Sequence, residues 1–239
     1  MNSSLKDRKV LVVGRGSGIA RGIVAAARRA GATVVAAGRH REALAEAYEG
    51  DTGVSAEAVD LTDDDSIAAL AQRVGAVDHV VSTASARARG LIADLDRAAV
   101  RRSFDTKVIG PLMLARAFRD QINDGGSIVV FSGVAAFDIE PGTLAVAITN
   151  GAADMLTRSL AVELAPIRVN AISPGVVDTG AWDALGDDRK ASLFAETRER
   201  NPARRIGTPE DIADAAILAM TNTFMTGVTL HVDGGERLT

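Results

Sequence analysis

Along the chain, short uninterrupted apolar runs alternate with longer stretches in which apolar residues recur every three or four positions. Val10-Leu11-Val12-Val13 is the first such run, lying between a charged segment and a glycine-rich turn. A run without polar alternation suits a strand buried on both faces of a parallel sheet. The same pattern predicts strands over Thr33–Ala37, Val54–Val59, Val77–Val81, Ser127–Phe131, Ile167–Ile172 and Val228–Val232. Helices are predicted between them, over Ile19–Ala30 (closed by Gly31) and over Glu42–Tyr48. Thr62, with Asp65 three residues on, is an N-cap signal for a helix through Val74. Asp96 to about Asp120 reads as one long helix kinked at Pro111, and Leu144–Leu164 as another that ends before Pro166. Thr208 opens a helix over Pro209–Met220. The alternation predicts a single α/β domain over residues 1–239, with a seven-stranded, parallel, doubly wound sheet and helices on both faces. Residues 175–208 carry no strand pattern and read as a flexible flap with a helix or two.

Composition narrows the function classes. Of 239 residues, 47% are hydrophobic, 24% charged and only 3% aromatic, so the core must be aliphatic. The net charge of −4 is spread without a basic stripe, so neither nucleic acid nor a membrane surface is an expected partner. There is no cysteine, which removes disulfides and thiolate chemistry. His40, His79 and His231 lack metal-ligand spacing, and no metal is expected; His79 reads as a packed, hydrogen-bonded strand residue. Residues 1–7 show no apolar targeting core and no run approaches a membrane span, so a cytoplasmic location is expected.

The first strand runs directly into Gly14-Arg15-Gly16-Ser17-Gly18-Ile19-Ala20 and then a helix. Glycines there let the backbone turn tightly and approach a pyrophosphate, while the helix start offers free N–H groups to the anion. That context, strand before and helix after, points to a dinucleotide site in a Rossmann-type fold. An acid at the end of the second strand would bind a ribose 2′-hydroxyl, and an Arg nearby would suit a 2′-phosphate. The sequence has Gly38-Arg39-His40 and no acid, which predicts NADP, with Arg39 as phosphate ligand and Arg15 as a second candidate. Arg39 read instead as the start of a surface helix is the alternative.

These segments resemble the short-chain dehydrogenase/reductase family along nearly the whole chain. Gly14, Gly18, Ile19 and Ala20 are similar to its cofactor loop, with Ala20 in place of the usual last Gly. Asp60-Leu61 resembles the pair whose acid meets the adenine ring. Ser82-Thr83-Ala84-Ser85 stands in the place of an Asn-Asn-Ala-Gly segment, with Ala84 kept. Residues 167–179 closely match the family's sixth-strand region, and Val232-Asp233-Gly234-Gly235 its C-terminal signature. The resemblance implies a sheet order of 3-2-1-4-5-6-7 and a homodimer or homotetramer acting on a small molecule. It also implies that Pro174, Gly175, Val177 and Thr179 wrap the nicotinamide end.

The family's chemistry rests on Asn, Ser, Tyr and Lys, and the alignment puts other residues at all four places. Val146 falls at the Tyr, Asn150 at the Lys, Gly133 at the Ser and Lys107 at the Asn. Lys107 and Asn150 thus exchange residue types, so the site keeps an ammonium but delivers it from the other helix. Ser132, beside Gly133, offers a hydroxyl if the strand end shifts by one residue. The alternative is drift in a site no longer used for reduction. Asp138 and Glu140 are further proton-transfer candidates, and Arg87 and Arg89 could face an anionic substrate or only solvent. The expected function is an NADP(H)-binding oxidoreductase with an atypical site. The alternatives are a non-catalytic NADP(H)-binding sensor or scaffold, and a lyase or isomerase that has taken over the cleft.

Overall fold

The computed structural model describes residues 4–239. β1 (Lys9–Val13) sends alternate side chains into two aliphatic layers. Val10 and Val12 pack with Ile23, Val24, Ile212 and Met220, whereas Leu11 and Val13 pack with Ile67, Leu70, Leu114 and Phe118. This is the period-two geometry of a strand covered on both faces. Each such side chain, fully buried, contributes about 1.5–3 kcal/mol.

The remaining strands are β2 (Thr33–Gly38), β3 (Val54–Ala58), β4 (Val77–Ser82), β5 (Ile122–Phe131), β6 (Arg168–Pro174) and β7 (Thr229–Val232). All neighbours pair parallel, in the order β3-β2-β1-β4-β5-β6-β7. α1 (Gly18–Arg29) and α8 (Pro209–Thr221) cover one face. α3 (Asp64–Val74), α5 (Gly110–Phe118) and α6 (Leu144–Glu163) cover the other. α2 (Arg41–Ala47), α4 (Arg97–Phe104) and α7 (Asp187–Arg200) lie in the crossovers. The chain winds outward from β1 to β3 and then returns to β4, so the topological switch lies between β1 and β4. A doubly wound sheet binds its ligand at the strand ends beside that switch.

Three local expectations are corrected. The helix after β4 is not continuous: α4 ends at Phe104, a π-helical turn spans Asp105–Ile109, and α5 begins at Gly110. Pro111 has no N–H to give and its ring would press on the carbonyl four residues back, that of Lys107, so the wider turn accommodates it near the start of α5. α3 is capped by Asp63 rather than Thr62; the Asp63 carboxylate accepts from the N–H groups of Asp65 (3.0 Å) and Ser66 (3.3 Å). β5 begins at Ile122, because Val77 pairs with Ile122 and the register then shifts so that His79 pairs with Ser127. The flap holds α7 and one bridge, Val177 to Gly207. Thr208 opens α8 through a capping box with Asp211, as its sequence predicts.

Candidate active site

At the mouth of β1 the backbone leaves no room for side chains. A Cβ on Gly14 would lie 2.2 Å from Thr83 Oγ1 and 2.9 Å from Ala20 Cβ. Gly18 adopts φ +57°, and a Cβ there would meet Thr179 Cβ at 2.9 Å. Thr179 follows β6, so the loop after that strand seats on the glycine turn. Ser17 stands extended at the N-cap of α1 with no side-chain cap, and the first turn of α1 carries no acid. An uncapped helix start lined by backbone amides is an anion site. The cradle therefore fits a dinucleotide's pyrophosphate.

The ends of β2 and β3 supply the next contacts. Arg39 and Arg15 are exposed, and neither makes an ion pair among the described residues. Asp60 accepts from the N–H (2.9 Å) and hydroxyl (2.8 Å) of Thr62. These bonds, with the charge of Arg39 adding, hold its carboxyl below the usual range. Leu61 is buried, close against Gly110, where a Cβ would approach within 2.7 Å. Thr83 donates through N–H and hydroxyl to Val13 O (2.9 and 3.1 Å), joining β1 to the half-buried Ala84 loop. On the far side, Gly175 N–H donates to Val232 O (3.1 Å) and Val176 N–H to Glu236 Oε2 (3.0 Å). Val177 is buried in its bridge to Gly207. Pro174 to Thr179 is thus clamped between the C-terminal turn and the glycine turn.

The end of β5 is built from side chains. Lys107 sits in the π-helical turn, 8% exposed, and its Nζ donates to Ser132 O at 2.9 Å. Asn150, on α6, donates through Nδ2 to Gly133 O at 3.3 Å. The two side chains therefore meet at consecutive carbonyls. Burial pulls the Lys107 ammonium down to about 7, Arg87's charge adds to this, and Asp154 opposes it. Ser132 directs its hydroxyl inward, to Asn150 O at 3.1 Å. Val146 is buried on α6, and a Cβ on Gly133 would meet Asn150 Nδ2 at 2.8 Å, so Asn150's amide fills the space where a side chain at 133 would go. Asn150 Oδ1 is buried with no protein partner.

Other candidates are placed elsewhere. Asp138 and Glu140 pair with Arg200 at 2.7 and 3.1 Å, and so latch α7 to the loop before α6. His79 is buried and hydrogen-bonded to Ser127 Oγ (2.9 Å), with burial holding its pKa down to about 4. Arg200's role was not legible in sequence, because its partners lie sixty residues away. Trp182 was also missed; its Nε1 donates to Val177 O (3.0 Å), and Arg87 and Arg89 stack over its ring. Being the chain's one tryptophan was its only signal. No helix among the described residues is long and apolar enough to cross a membrane.

Known proteins share this fold over nearly the whole chain. A family model described as enoyl-(acyl carrier protein) reductase matches residues 13–236. L-xylulose reductase of Mus musculus is 33% identical over 243 residues, covering 98% of each chain. Carbonyl reductase [NADPH] 2 of Sus scrofa is 31% identical, again covering 98% of each. The crystal structure of a small-chain dehydrogenase in complex with NADPH superposes with a TM-score of 0.87 at 31% identity, covering 98% of this chain and 100% of the other. With a family match spanning the sheet from the end of β1 to the C-terminal turn, and relatives aligned over their whole length, the chain belongs to the short-chain dehydrogenase/reductase family.

Proposed function

We propose that the protein is an NADP(H)-dependent oxidoreductase interconverting a small carbonyl compound and its alcohol, with Lys107 as the proton-transfer group. A relative named for NADPH and a neighbour bound to NADPH support the cofactor. The absence of an acid after β2, with Arg39 and Arg15 making no ion pair among the described residues, supports NADP over NAD. Gly14, Gly16, Ser17, Gly18 and Ile19 would hold the pyrophosphate, Arg39 the 2′-phosphate, and Asp60, Leu61 and Ala84 the adenosine end. Pro174, Gly175, Val177 and Thr179 would hold the nicotinamide end.

The observation that carries the proton assignment is the meeting of Lys107 and Asn150 at the carbonyls of Ser132 and Gly133. Bound NADPH supplies a hydride. The Lys107 ammonium gives its proton to the oxygen of the reduced carbonyl and becomes a neutral amine, which solvent reprotonates. In the reverse direction the amine takes the alcohol proton. A group poised at about 7 populates both forms near neutrality, where general acid–base catalysis is most effective. Asn150 positions the site, with Oδ1 left to accept from a ribose hydroxyl. Ser132 holds the end of β5 against α6. The test is NADPH oxidation across a panel of small carbonyl compounds. Lys107→Met should lower turnover by about 10²–10⁴ while leaving NADPH affinity unchanged. Equal turnover in wild type and variant contradicts the assignment.

A second reading is a non-catalytic NADP(H)-binding sensor or scaffold. It is favoured by the buried Val146 and by the absence of any hydroxyl at Gly133. It predicts tight NADPH binding with no oxidation across the panel. Assembly into a homodimer or homotetramer is supported by Ile148, Met155 and Val162, which line one face of α6 and are 52%, 55% and 82% exposed. Light scattering that returned only monomer would contradict assembly.

A further inference from the structure

The loop after β4 carries two arginines that make no ion pair or side-chain hydrogen bond among the described residues and no direct contact with the proton-transfer group. It is pinned on alternate residues. Ala86 O accepts from Ser103 Oγ at 2.6 Å, Ala88 is buried, and Gly90 N–H donates to Gly142 O at 3.0 Å. The intervening Arg87 and Arg89 both project outward, and both lie over the same indole, that of Trp182, at 5.5 and 6.0 Å. Trp182 is held from the opposite side of the cleft by its bond to Val177 O. Arg87 and Arg89 therefore bridge the β4 loop to the flap.

Neither arginine has an ion pair or a side-chain hydrogen bond among the described residues. Both are exposed; the crowding of Arg87 by surrounding protein, with the charge of Arg89 adding to it, lowers the pKa of Arg87. Arg87's charge also reaches Lys107. At Lys107 the charge of Arg87 is opposed by Asp154, whose Oδ1 already accepts from Thr229 Oγ1 (2.9 Å). Like charges brought together without counter-charge are unfavourable unless an anion joins them. The guanidinium fork matches carboxylate and phosphate oxygens in pairs, and a stacked aromatic fixes its orientation.

We infer that Arg87 and Arg89, braced on Trp182, form an anion clamp that selects carbonyl or alcohol substrates bearing a carboxylate or phosphate group. The clamp rests on the oxidoreductase reading for its meaning, but not for its test. The anion sits at the guanidiniums while the reacting carbon lies toward Lys107, so charge fixes the substrate's direction in the cleft. It also implies that a bound anion shields Lys107 from Arg87.

The protein saturated with NADP⁺ is titrated with malonate, with inorganic phosphate and, as a neutral control, with malonamide, at constant ionic strength. Trp182 is the chain's one tryptophan, so its fluorescence reports the clamp directly. Malonate or phosphate should change that fluorescence saturably and malonamide should not; which anion binds tighter distinguishes a carboxylate from a phosphate substrate. The double variant R87Q/R89Q should weaken anion binding by about tenfold or more, with R89Q intermediate, while NADP⁺ affinity stays within about twofold. Absence of saturable binding, equal binding by wild type and double variant, or a parallel loss of NADP⁺ affinity overturns the clamp. NADP⁺ binding is measured separately. Should it fail, the oxidoreductase reading falls, and the titrations on the protein alone still decide the clamp.

Discussion

At the glycine turn, the groups that face the cleft are backbone amides, held by approaches too close to admit a Cβ at Gly14 or Gly18. Just past the end of β5, they are side chains: Lys107 from a π-helical turn and Asn150 from α6, tied to the consecutive carbonyls of Ser132 and Gly133. The first kind of site is specified by the absence of atoms, and nearly any substitution damages it. The second is specified by where a few long side chains reach, so on the proposed reading its ammonium comes from a different helix while the backbone stays the same. One half of the cleft can therefore keep its ligand while the other changes its chemistry.

That contrast can be broken most sharply at Gly14. A valine there must displace Thr83 and Ala20, at a cost of about 1–3 kcal/mol in packing alone. NADPH affinity should fall by roughly 100-fold, read by nucleotide fluorescence; a variant that binds normally would show that the turn does not hold the cofactor. Arg39→Gln should weaken NADPH by about tenfold and leave NADH unchanged, since only the former carries a 2′-phosphate. Equal losses for both nucleotides would return Arg39 to the start of a surface helix.

The sheet beneath both halves titrates on its own. His79 is held neutral down to about 4 in the fold, against an unfolded value near 6.5. Between these values the unfolded chain binds more protons, so stability falls as pH drops from about 6.5 toward 4. The slope approaches about 1.4 kcal/mol per pH unit. Denaturant titrations of His79→Gln should lack that slope; an identical slope in the variant would assign the acid sensitivity to another group.

Much of this was legible in the chain because it is local. Val10 to Val13 announced a strand covered on both faces, and Gly14 to Ala20 a turn before a helix. The strand count followed from that alternation, whereas the strand order came only from the family resemblance. Thr62 was passed over for Asp63 because either side chain can cap the same amides, and only backbone geometry chooses between them. The π-helical turn was hidden because Pro111 signals an interruption but not its form. Lys107 emerged only by setting the sequence against a family pattern, since nothing in its neighbours distinguishes it from a solvated helix lysine. Arg200 with Asp138, and Trp182 with Arg87 and Arg89, are contacts between distant segments that no periodicity records.

The central claim is that Lys107 passes the substrate proton, and the pH dependence of turnover tests it most directly. In the direction of carbonyl reduction, kcat/KM should fall as pH rises through about 7, because the ammonium is the active form. In alcohol oxidation it should rise through the same value, because the amine is. Lys107→Met should abolish both inflections along with most of the rate. Inflections that persist unchanged in that variant would contradict the account.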